Sequence, residues 1–96
     1  MTWASNVVVV DTAELRAAAA SVRRAAGNST EARHRLPAEV WGAPDWLASN
    51  VASELGFIRG ALDELRDELL AEAARLELRA DEVDNAEQRW ATVANG

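Results

Sequence analysis

Few residues in this sequence can do chemistry. His34 is the single histidine, and the chain has no cysteine, tyrosine or lysine, so thiolate, phenolate and amine nucleophiles are missing. Glu31-Ala32-Arg33-His34 has the Glu-x-x-His spacing that puts a carboxylate and an imidazole on one helix face in di-metal carboxylate bundles. Those bundles need two such motifs and two further inward glutamates, so only a symmetric dimer could double the one found here. The plainer reading of Glu31 and His34 is an exposed, charged helix end. An all-α enzyme that binds carboxylates through clustered arginines is the catalytic alternative. Arg23-Arg24 and Arg33, Arg35 read more simply as salt-bridge partners for an acidic second helix. The expectation is therefore no catalytic residue, no metal and no cofactor.

Tryptophan is the unusual component. There are four, against one Phe and no Tyr, and Trp41 and Trp46 bracket the turn. Two roles fit: indoles that clasp the end of a helical hairpin, or exposed anchors for a partner, since Trp is enriched where binding energy concentrates.

The elements that would position these residues follow from composition. The 96 residues include 21 alanines, and Leu, Glu and Arg follow at 10 each, all good helix formers, with 5 Gly and 2 Pro. A chain this short builds one all-α domain. A net charge of −6 opposes phosphate backbones and argues against nucleic acid. No segment approaches the roughly 20 apolar residues of a membrane helix, so no membrane insertion is expected. The N-terminus has no basic region, and its apolar run stops at Val10, so the expectation is synthesis in the cytoplasm without a cleavable signal peptide.

Asp11-Thr12-Ala13-Glu14 reads as a capping box that starts helix 1, where Leu15, Val22, Ser29 and Leu36 recur every seven residues. Ala18, Ala25 and Ala32 fill the second seam position, and Gly27-Asn28 predicts a bend or tolerated irregularity. Pro37 and Pro44 frame the connection. In helix 2, Leu55, Leu62, Leu69, Leu76, Val83 and Trp90 fall seven apart. Ile58, Leu65, Glu72, Arg79, Ala86 and Val93 occupy the second position of this repeat. Glu72 and Arg79 interrupt it, either to set register or because helix drift turns Ala73 and Ala80 inward instead. The organisation expected is an extended leader over 1–10, helix 1 over 11–36, a Trp/Pro turn over 37–44 and helix 2 over 45–94. At 1.5 Å per residue the helices measure ~37 Å and ~75 Å, so helix 2 overshoots. Val7 to Val10 would dock on the excess, with Trp3 near Trp90.

A two-helix hairpin hides one side of each helix, and small scaffolds without staples usually oligomerise. The fold expected is an antiparallel helical hairpin that pairs into a dimeric four-helix bundle. Its partner interface would run through Leu55, Ile58, Leu62, Leu65, Leu69, Leu76 and Val83. The partner would be the chain itself, as a homodimer, or a paralogous hairpin, as a heterodimer.

The short leader ending in Val10-Asp11-Thr12-Ala13-Glu14-Leu15, the Ala-rich first helix, the Trp-bearing turn and the long second helix together resemble a known family. It is the Trp-x-Gly (WXG) family of early secretory antigenic target-like type VII secretion substrates, and the nearest branch is the EspC-like one of actinobacteria. The resemblance implies a secreted, non-enzymatic hairpin that works by protein-protein association and meets the type VII secretion machinery. The turn motif maps onto Trp41, Gly42 and Trp46, although Trp41 is followed at once by Gly42 and Trp46 by Leu47-Ala48. The family's export signal on helix 2, Tyr-x-x-x-Asp/Glu, maps onto Val83 and Glu87 without its aromatic. This implies a member whose paired substrate carries the signal, or a cytoplasmic adaptor or regulatory relative.

Overall fold

Helix-forming residues interrupted only around two prolines give two helices. In the computed structural model, which describes residues 11–38 and 41–95, these are α1, Thr12–Arg35, and α2, Asp45–Asn95. The Asp11 carboxylate accepts from the Ala13 N–H at 2.9 Å and starts α1. α1 runs unbroken through Gly27-Asn28, so the expected irregularity is not there. The Leu36 N–H closes α1 onto the Arg33 carbonyl at 3.3 Å. Gly42, at φ +80, supplies the left-handed residue of the turn, a conformation that costs any residue with a Cβ. The Pro44 carbonyl then accepts from the Leu47 and Ala48 N–H groups and opens α2.

The two helices lie antiparallel in a slab of 76 × 26 × 14 Å. The long dimension is that of a straight α2, since 51 residues at 1.5 Å each give about 76 Å. α1, with 24 residues, covers only the middle of it. The expected docking of Val7 to Val10 and the Trp3–Trp90 approach fall on residues outside those described.

The seam follows the seven-residue repeat, but its second column differs from the one expected. Leu15, Val22 and Ser29 of α1 and Leu36 at its C-terminal cap are buried or half-buried, and so are Leu55, Leu62, Leu69, Leu76 and Val83 of α2. Beside them the inward positions are Ala19, Ala26 and Arg33 on α1, and Arg59, Arg66, Ala73 and Ala80 on α2, while of the expected column Ala25 is half-buried and Ala18, Ala32, Ile58, Leu65, Glu72, Arg79 and Ala86 stay exposed. What stands at the close-packed middle of the seam explains the choice. A straight helix must present one column along its whole length, and the expected column would drive Glu72 and Arg79 into the seam. The neighbouring column buries Ala73 and Ala80, and its long cations Arg59 and Arg66 lay their stems along the seam with their heads at its edge. Alanine at Ala19, Ala26, Ala73 and Ala80 lets the backbones approach closely. Ser29, the one buried polar side chain among the described residues, donates its hydroxyl to the Leu62 carbonyl across the seam at 2.8 Å. A single satisfied polar contact inside an Ala-Leu seam has a natural use in holding one helix register.

Candidate interaction surfaces

Charge sorts the two edges of the slab. On one edge Arg16 donates to Asp84 at 2.7 Å and to Asp81 at 3.0 Å, and Arg23 forks onto Glu77 at 2.7 Å. Arg33 Nε sits 2.9 Å from Asp63 Oδ1 with no directed hydrogen bond, so that contact is Coulombic only. Arg23 and Arg33 were expected to pair with α2. Arg24 instead meets the Ser21 hydroxyl, and Arg35 pairs with Glu31 along α1 at 3.6 Å. Arg16, not singled out from the sequence, makes two of the cross-helix bonds; its signal was the seven-residue spacing to Arg23.

These ion pairs have a consequence for pH. The Arg16 guanidinium, with help from the Thr12 hydroxyl, holds the Asp84 carboxyl below the ordinary carboxylate range, and Arg23 does the same for Glu77. Carboxyls depressed in the folded chain stabilise it fully above their ordinary values of about 4, and that contribution disappears as pH falls through the lowered ones. Both pairs are solvent-exposed, so the effect is small. Thermal melts followed by circular dichroism are expected to show Tm falling a few degrees between about pH 5 and pH 2. An Arg16→Ala/Arg23→Ala variant should lose most of that dependence.

The opposite edge carries no such ladder. Since the ion pairs fix which side of each helix meets on the charged edge, Ala18, Ala25 and Ala32 of α1 share the other edge with Ile58 and Leu65 of α2. Ile58 and Leu65 are 40% and 46% exposed. Of the seven residues expected at a partner interface, the structure thus turns Leu55, Leu62, Leu69, Leu76 and Val83 toward α1 of the same chain and leaves Ile58 and Leu65 outward. Leu47 extends this apolar strip toward the turn.

The turn tryptophans do not clasp the hairpin end. Trp41 is 87% exposed and Trp46 68%, and they flank the tight turn at Gly42. Phe57, which attracted no attention in the sequence beyond being the only Phe, is 76% exposed on the outer face of α2, and Trp90 is 74% exposed near its end. Val83 is half-buried and Glu87 exposed, so the degenerate export-signal positions differ in accessibility. Glu31 and His34 are both exposed, and among the described residues no three His, Cys, Asp or Glu side chains gather as a metal site. No described helix is long and apolar enough to cross a membrane. Set against known protein families, curated proteins and solved structures, the chain matches none.

Proposed function

We propose that this chain is a non-enzymatic helical hairpin that acts by protein-protein association. It pairs through its open edge with a second copy or a paralogous hairpin to make a four-helix bundle. Ile58 and Leu65, outward beside Ala18, Ala25 and Ala32 at the turn-proximal half of the open edge, before the column passes to Glu72 and Arg79, carry this reading: apolar side chains of that size cost free energy in water and gain it under a second pair of helices.

Length, an Ala-rich first helix, a Trp-bearing turn and a long second helix support placing the hairpin among type VII secretion proteins, as a substrate or its partner. With Val83 where the family signal has an aromatic, a second copy would lack the signal too, so export calls for the paralogous hairpin, which supplies the signal and takes this chain out of the cell with it. Light scattering and circular dichroism on the purified chain test the association. A highly helical dimer is expected for self-pairing, and a poorly helical monomer that becomes helical on adding its partner hairpin for the heterodimer. A stable, fully helical monomer that binds no hairpin from its host would overturn the reading, because the open edge would then need no cover.

A further inference from the structure

The described aromatic residues, Trp41, Trp46, Phe57 and Trp90, are all exposed, and the seam is built from aliphatic side chains. Two of them share a face. Trp46 and Phe57 stand roughly three turns, ~16 Å, apart on the side of α2 turned away from α1. The open edge lies on a different side, at Ile58 and Leu65. Between the two aromatics this face presents Asn50 and Ser53, one and two turns along from Trp46, with Gly56 and Gly60 flanking Phe57 to one side. A Cβ on either glycine would meet nothing within 4 Å, so no contact within the hairpin calls for glycine there, although each weakens the helix relative to alanine.

Charge around this face has one sign. From Trp46 to Glu68 the only cations are Arg59 and Arg66, and both lie on the seam side of α2. Arg59 donates to the Pro37 carbonyl, and Arg66 is engaged with Asp63 and Asp67. Glu54, Glu64 and Glu68 border the aromatic face and enter no ion pair among the described residues.

We propose that the outer face of α2 around Trp46 and Phe57 is a second docking surface. Its occupant is an amphipathic helix with an aliphatic stripe between basic flanks. The two aromatics give anchors of the kind that concentrate binding energy, Ser53 between them and the glycines flanking Phe57 let a partner helix come close, and the acidic border attracts its Lys or Arg. A second copy of the chain would bring the same acidic border against itself, and anionic lipid or nucleic acid would be repelled. This surface does not depend on pairing through the open edge.

The test titrates the full chain with a fluorescein-labelled peptide of about five helical turns, Leu and Ala on one face and Lys along both flanks. One matched peptide carries Glu for Lys, and another carries Ser for Leu. Saturable binding of the first peptide alone is expected, weakening with salt. Phe57→Ala and Trp46→Ala should each weaken it about tenfold or more, with helicity unchanged, because neither side chain packs in the seam. An Ile58→Arg/Leu65→Arg chain, its open edge disabled, should bind as the wild type does. The proposal is overturned if no peptide binds, if the Ser or Glu peptide binds as well as the first, if Phe57→Ala and Trp46→Ala leave affinity unchanged, or if Ile58→Arg/Leu65→Arg abolishes it.

Discussion

Ala73→Leu is expected to unfold the hairpin or lower its Tm by roughly 5–20 °C. Ala73 and Ala80 are completely buried on α2, and Ala19 and Ala26 nearly so on α1. The backbones therefore approach as closely as a methyl group allows. A leucine has no space to enter such a seam and must push the helices apart, which costs about 1–3 kcal/mol in a well-packed interior. For a chain of this length that corresponds to roughly 5–20 °C. The few residues that are fully buried leave little stability to spare. Ala74→Leu is the control: Ala74 is exposed one position along, and leucine there keeps its helix propensity and meets solvent. Circular dichroism melts of the two variants beside the wild type decide the matter. If Ala73→Leu melts with the wild type, the helices are not held at alanine distance and the seam assignment fails.

Leu65→Arg is expected to separate the paired hairpins without melting either. Leu65 is half exposed within one chain, and Leu and Arg have nearly equal helix propensity, so the hairpin itself loses little. In a bundle the same position lies under a second pair of helices, and an arginine there must be desolvated without a partner. A cost of about 3 kcal/mol raises Kd on the order of a hundredfold. Sedimentation over a dilution series should show monomer at concentrations where the wild type is paired, with unchanged helicity. Glu64→Ala, one residue earlier and on the outer side of α2, should pair normally. An unaltered mass for Leu65→Arg would remove the open edge from the interface. Leu62→Arg and Leu69→Arg, which the repeat alone also nominates, are less clean. Both side chains face α1, so these changes strike the hairpin as well as the pair.

Much was legible in the sequence because helices are local. Composition, the Asp11 cap and the two prolines each act within a few residues of where they stand. They determined by themselves that the chain forms two helices joined by a turn near Trp41. The seven-residue repeat likewise identified Leu55, Leu62, Leu69, Leu76 and Val83 as one stripe. It could not decide the rotation of that stripe, because columns on either side of it carry apolar residues: Ile58 and Leu65 on one, Ala73 and Ala80 on the other. Only the packed pair decides, since a rigid helix buries one column throughout and charge at Glu72 and Arg79 weighs against the first. That single rotation, a property of two helices together, turns Ile58 and Leu65 outward, gathers Arg16, Arg23 and Arg33 opposite Asp84, Glu77 and Asp63, and leaves Trp46 and Phe57 facing solvent.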